Sequence, residues 1–240
     1  MVGHKDWWIE RFLLDTNNRE DEALDRLVST MKWRKQSGVN QLTARSFPAE
    51  MYRIGGLVRF CRDRNDRPVL WIQTFRHRPC SQWSALAKQF IVYQLELIDR
   101  ESISHSGWSM IADTSQLSMA NMDIGYSNFM INCLQQHYPG GVRYLLNIDL
   151  PWYMNLAVAV IIGFMDQHLR SIYRSVTSEE LTDYLSADSI PVRLGGNYNR
   201  SLITVPDGVQ TLADGFGHMF TRKQIADIQE TFVDELNESN

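Results

Sequence analysis

The sequence predicts an α/β protein: a mainly parallel sheet flanked by helices, preceded by an N-terminal helical lobe. Two observations carry that expectation. The first third, up to Gly55-Gly56, has helical spacing and no strand-like run. From Leu57 onward, short apolar runs alternate with longer helical stretches, and strands separated by helices pair in parallel.

Each element follows from a local pattern. Trp7, Trp8, Ile9, Phe12, Leu13 and Leu14 suggest a short opening helix. Residues 20–36 carry Leu24, Leu27, Val28 and Met31 at i, i+3, i+4 and i+7, which predicts a helix with these on its apolar stripe and Gly38 as its stop. A short helix is expected over 48–53. Runs 57–61 and 68–75 read as strands joined by the turn-rich Arg64-Asn65-Asp66-Arg67. Residues 81–100 read as a long helix, with Trp83, Leu86, Ala87, Phe90, Ile91, Leu97 and Ile98 on one face. Then come a strand at 108–112, a helix at 122–137 stopped by Pro139-Gly140-Gly141, a buried strand at 142–148 and a strand at 171–176. Ser178-Glu179-Glu180 opens another short helix, capped by Ser178 or Thr177. Residues 222–236 place Ile225, Ile228, Phe232 and Leu236 on one stripe, and their acidic opposite face favours docking on the domain over an anionic membrane. The expected organisation is a helical lobe (1–54), a central domain (55–205) and a C-terminal extension with an amphipathic helix (206–240).

The most informative stretch is 150–165, LPWYMNLAVAVIIGFM, which holds no charge and is bounded by Asp149 and Asp166. As a helix it is apolar nearly all round, and such a helix has to be covered on every side. It is too short to span a bilayer, which takes about 20 apolar residues. Its cover is the protein's own core, a bound apolar ligand, a membrane surface, or a combination. Pro151-Trp152-Tyr153 at its start suits a membrane interface. Arg170 and Arg174 beyond its end would suit lipid phosphates.

Charge and motifs narrow the function. At net charge −4 the chain has no global basic field, so nucleic acid is not an expected partner. Arg59, Arg62, Arg64, Arg67, Arg76 and Arg78 offer a local patch for anionic lipid, although charge on a solvated hairpin edge is the ordinary reading. Cys61, Cys80 and Cys133 are odd in number and widely spaced, as free thiols in a reducing compartment are. The opening HKDWWIERFLLD is charged and amphipathic, unlike a secretory signal, and no run has the length of a transmembrane helix. The expected location is cytoplasmic, peripheral to intracellular membranes. No GxSxG, Walker, GxGxxG, HExxH or EF-hand pattern occurs. His4, His77, His105, His137, His168 and His218 are isolated, so no metal, cofactor or catalytic residue is expected. Asp113 ends a strand, where an α/β enzyme often keeps a carboxylate. Asp-Thr-Ser after a strand also caps its own loop, and that is the reading we adopt.

Several segments together resemble the CRAL-TRIO family of lipid-binding and lipid-transfer proteins. Leu27 to Gly38, with Trp33-Arg34-Lys35, is similar to the family's N-terminal helix and its WRK-type ending. Asp66-Arg67-Pro68-Val69-Leu70 resembles the strand-opening GRPV segment, and residues 113–118 resemble D-x-S/T-G-x-S. Tyr138-Pro139, the strand to Asp149 and Pro151-Trp152 resemble the YPE…NAPW run, and residues 188–196 resemble the closing LP-x-x-x-GG. The resemblance covers Trp7 to Gly196. Within the family, the IxxPW start and the MN-A run of the apolar helix are most similar to the motile-sperm-domain branch.

The resemblance implies a sheet that floors an apolar cavity for one lipid, closed by a gate helix that opens at a membrane. Under it, Leu70, Ile72, Trp108, Met110 and Leu145 are the expected ligand-binding residues. Trp152, Tyr153, Met154, Val158, Ile161, Ile162 and Met165 are the expected gate. The implied partners are a hydrophobic ligand and, transiently, a membrane surface, with the endoplasmic reticulum as the site if the domain belongs to a larger tethered protein; protein partners are not specified. The charged and polar readers of inositol phosphate fall instead at Leu14, Thr16, Gly140, Leu169 and Ile172, so that headgroup specificity is not carried over. The expected function is non-covalent lipid binding and exchange at membranes. The alternative is a membrane-targeting or scaffold module with a vestigial cavity.

Overall fold

The structure, a computed structural model, describes residues 3–102 and 106–238, with side chains from Trp7 onward. His105 and the side chain of His4 therefore lie outside the described residues. Helices α1 (Gly3–Asp15), α2 (Glu20–Gln36) and α3 (Ala49–Ile54) form the N-terminal part. Strands β1 (Leu57–Arg62) and β2 (Pro68–Gln73) make an antiparallel pair, with Leu57 opposite Ile72. Helix α4 (Ser84–Glu101) leads to β3 (Trp108–Asp113), α5 (Ile124–His137) to β4 (Val142–Ile148), and α6 (Asn155–Gly163) with α7 (Gln167–Ile172) to β5 (Tyr173–Val176). The sheet order is β1-β2-β3-β4-β5, parallel from β2 to β5.

That order has a consequence. Strands added one after another by right-handed crossovers never reverse direction across the sheet, so their helices fall on one face. One core cluster joins Leu70, Met110 and Leu145 of the sheet to Phe90, Ile91, Leu95 and Ile98 of α4 and to Ile131 and Leu134 of α5. The opposite face carries Val69, Trp71, Ile111, Leu146 and Ile148, and short 3₁₀ turns cover it through Leu181, Leu185, Ile190 and Leu194. The parity of the strands, with alternate side chains on opposite faces, sorts the two sets.

Most predicted elements are present, and the differences have local causes. The strand expected at 68–75 ends at Gln73 and continues as a 3₁₀ turn, where the Thr74 hydroxyl donates to the Asp113 carbonyl. Helix α5 starts at Ile124 because the Asp123 carboxylate caps the Tyr126 amide. The strand expected from 171 begins at Tyr173, since the Asp166 carboxylate caps the Leu169 amide and nucleates α7. The C-terminal helix divides at Phe232 into α8 (Arg222–Thr231) and α9 (Val233–Glu238). Its stripe docks as expected: Ile225, Ile228 and Phe232 join the main core.

The rotation of α2 is a correction. Leu24, Val28 and Met31 face solvent, while Ala23, Thr30 and Arg34 are buried. The Arg34 guanidinium makes two 2.8 Å bonds to Glu96 of α4, and the Thr30 hydroxyl donates to the Gln136 carbonyl. Polar partners with fixed geometry turn this helix, and its apolar stripe does not.

The arginine patch also resolves. Arg59 and Arg62 pair with Glu101, Arg67 with Asp63, Arg76 with Glu238 and Arg78 with Glu235. Arg64 donates to the Thr182 carbonyl. All six are engaged within the fold.

Candidate functional site

The helical face of the sheet does not close completely under α6. Ile72, Met110 and Leu145 form the floor of a cavity, Met130, Ile131 and Leu134 of α5 one wall, and Val158, Ile161, Ile162 and Met165 the roof. Helical spacing explains the α5 wall, because Tyr126, Met130 and Leu134 lie four apart and share a face. The cavity volume is about 150 Å³. That suits a benzene-sized solute and lies below the ~300 Å³ at which ligand pockets usually begin. A larger groove of about 620 Å³ runs between Arg76, Arg78, Gln116 and the acidic Asp234 and Glu238, but its lining is polar.

Polar groups at the cavity rim are mostly satisfied. The Thr114 hydroxyl donates to the Ile148 carbonyl at 2.6 Å. The Asn121 amide donates to the Phe75 and His77 carbonyls, both at 3.0 Å. The His77 ring lies 3.4 Å from Asp123 and stacks on Tyr126 at 4.4 Å. Burial pulls the His77 pKa down, and Asp123 only partly restores it, so the ring is neutral at pH 7.

Helix α6 and the 3₁₀ turn before it present two apolar faces. Val158, Ile161 and Ile162 meet the cavity. On the other side Trp152, Leu156 and Val160 are 82%, 85% and 49% exposed. The Tyr153 hydroxyl donates to the Leu117 carbonyl, which ties the segment to the loop before α5. That loop adds exposed Met119, and Ile124 beyond it is exposed too. The protein itself therefore covers only the inner face of this segment.

The sequence-predicted residues divide accordingly. Ile72, Met110, Leu145, Val158, Ile161, Ile162 and Met165 line the cavity. Leu70 and Trp108 do not: both are fully buried in the core, and the Trp108 indole donates to Asp99 at 3.3 Å. Met154 is buried with Leu117 and Val158, while Trp152 and Tyr153 face outward. Leu169, at one of the family's polar-reader positions, lines the cavity as an apolar wall. Sequence reasoning missed the α5 wall, Tyr173 and Asn147. Asn147 had a readable signal: it shares the parity of Leu145 within the buried and otherwise apolar stretch Leu145–Ile148. Asp113 takes its loop-capping role, accepting from the Ser115 amide and hydroxyl and pairing with Arg193. Among the described residues no three His, Cys, Asp or Glu side chains cluster as a metal site, and no helix is long and apolar enough to cross a membrane.

A sheet of this order, with an apolar cavity beneath a two-faced helix, can be compared with known proteins. The CRAL/TRIO domain matches residues 53–196. The chain belongs to the CRAL/TRIO domain family. A CRAL-TRIO domain-containing protein of Schizosaccharomyces pombe is 24% identical over 95% of the chain and 53% of its own length. The phosphatidylinositol transfer protein CSR1 of Eremothecium gossypii is 27% identical over 72% of the chain and 41% of its own length. The chain thus spans about half, or less, of these relatives. The crystal structure of Sfh5 superposes with a TM-score of 0.64 at 15% identity, covering 95% of this chain and 81% of that one. The CRAL/TRIO motifs acquire physical roles here. Arg34 of Trp33-Arg34-Lys35 reaches Glu96, Trp33 stacks on His137 at 3.8 Å, and Arg193 of the closing segment holds Asp113.

Proposed function

We propose that this protein is a non-catalytic lipid carrier that holds one hydrophobic molecule between the sheet and α6 and exchanges it at membranes. The observation that carries this reading is the two-faced α6 segment. One apolar face roofs the cavity, and the other exposes Trp152, Leu156 and Val160. Exposed apolar patches of this kind mark interaction surfaces, and an indole at the edge suits a lipid headgroup region. The relative named a phosphatidylinositol transfer protein supports transfer as the activity. The boundaries proposed are a helical lobe over 1–54, a carrier domain over 55–205 and a docked extension over 206–240.

At about 150 Å³ the closed cavity is too small for a diacyl lipid, so loading requires α6 to move outward as a gate. A headgroup read by buried charge is not part of the proposal, because Gly140, Leu169 and Ile172 offer no charged partner and an unpaired buried phosphate costs several kcal/mol. The small closed volume also favours a second reading, a membrane-targeting module with a vestigial cavity. Native mass spectrometry of protein purified from cells separates the two. A one-to-one lipid adduct is the expected result. A clean apo mass that persists after incubation with liposomes would leave the vestigial reading.

A further inference from the structure

We infer that the Asn147 amide is a specificity-determining hydrogen-bond donor for a neutral hydrophobic ligand that carries one oxygen acceptor, such as an ester, ketone or hydroxyl. The inference deepens the carrier reading and rests on it.

Asn147 sits on β4 in register with Ala112 of β3 and Ser175 of β5, on the face that bears Leu145. It lines the cavity and is only 4% exposed. Its amide nitrogen is buried without a hydrogen bond. Buried donors are nearly always satisfied, and one left open costs stability. A wall that only had to be apolar would be better served here by leucine or isoleucine, which β4 uses on either side. Thr74, Thr114 and Asn121 at the rim are already bonded to backbone carbonyls. Among the described residues, Asn147 is the one cavity-lining side chain whose buried polar atom stays unbonded. Tyr173 of β5 lies beside it. Burial raises the phenol's pKa, and the neighbouring Asn147 side chain draws it partly back through a contact that does not complete a hydrogen bond from the amide nitrogen.

Charge selects the ligand class. Among the described residues no lysine or arginine lines the cavity, and the charged side chain that does is the acidic Asp123. An anion there would be desolvated without a counter-ion. A neutral oxygen accepts from Asn147 at no such cost. Ala112, directly opposite in the register, leaves room for that oxygen above the sheet.

The test uses three probes of similar size, methyl palmitate, nonadecane and palmitate, each displacing N-phenyl-1-naphthylamine from the purified protein. Wild type should prefer the ester over the alkane by about five- to tenfold, the range of one neutral hydrogen bond. Asn147→Leu should lose that preference while binding the alkane at least as well. Without ligand it should melt no lower than wild type, because an unsatisfied donor is gone. Asn147→Ile, shaped for a strand, serves if leucine is overpacked. An ester preference retained in both variants overturns the inference, as does a variant that melts lower with its preference unchanged. Tighter binding of palmitate than of the ester overturns the neutral class. Failure of all three probes to bind wild type overturns the carrier reading itself, and the inference with it.

Discussion

Arg34 shows how one side chain fixes the junction between the N-terminal helices and the sheet domain. Its guanidinium forks onto both Glu96 oxygens, and the Tyr138 hydroxyl donates to the same carboxylate at 3.0 Å. Burial pulls the Glu96 pKa upward, but Arg34, Arg100 and Tyr138 outweigh it and hold the carboxyl below its usual value. Glu96→Gln should therefore cost about 3 kcal/mol in urea unfolding, because it strands a buried guanidinium without its counter-charge. His137 gives the same junction a pH dependence. Burial, with Arg26 and Arg34 nearby, pushes its pKa from 6.5 down to about 4. The unfolded chain then binds the proton more tightly than the folded one. Stability is full above pH 6.5 and declines as pH falls toward 4. The ring is only half-buried, so screening limits the loss to about 1 kcal/mol. His137→Phe, which keeps an aromatic face against Trp33, should flatten the melting temperature between pH 6.5 and 4. An unchanged slope would remove His137 as the cause.

At the scale of elements, α6 makes the sharpest prediction. Leu156 and Val160 lie four apart on the outer face, and Val158 and Ile162 lie four apart on the inner one. Leu156→Asp with Val160→Asp should leave the melting temperature within a few degrees of wild type, since surface substitutions usually change stability by less than about 0.5 kcal/mol. The same variant should bind liposomes and exchange lipid several-fold less. Val158→Asp with Ile162→Asp should instead unfold the domain, because buried charges without partners cost several kcal/mol. Paired thermal melts and liposome sedimentation read both outcomes. Unchanged membrane binding by the outer pair would show that α6 is not the docking face. The limits of α6 were only partly readable, because its apolar run continues past the point where the helix stops. Gly163 and Phe164 end it, and Asp166 then caps α7.

Over the whole molecule, the C-terminal extension is part of the core. Phe232 is 2% exposed and packs on Trp83 at 5.2 Å, and Glu50 of α3 accepts the Leu212 amide at 2.9 Å. The ion pair of Arg76 with Glu238 lies nearer the surface, whereas Arg78 reaches a buried Glu235. Exposed pairs contribute about 0–1 kcal/mol, whereas removing a buried aromatic costs about 3–5 kcal/mol. Phe232→Ala should thus lower the melting temperature of the full chain by about 6–20 °C, while 0.5 M salt should lower it by far less. A larger effect of salt than of Phe232→Ala would mean that the tail is held by charge.

Local pattern determined most of the elements. The span of α2, the strand 142–148 and the docking stripe of the tail follow from spacing, caps and turn residues, which act within a few positions of the chain. The cavity was legible along the sheet through Ile72, Met110 and Leu145 and along α6, where strand parity, family resemblance and an uncharged run point to one side of the sheet. Three things were decided by the tertiary structure. Arg34 and Thr30, and not Leu24, Val28 and Met31, set the rotation of α2, because their partners Glu96 and Gln136 lie 62 and 106 positions away. Leu70 and Trp108 fell behind the cavity wall, because parity fixes a face but not a position along it. The Asn147 amide became an open donor only once β3 and β5 closed on either side of it and left its nitrogen no partner. Burial and pairing between distant segments are properties of the assembled sheet, and no window of sequence contains them.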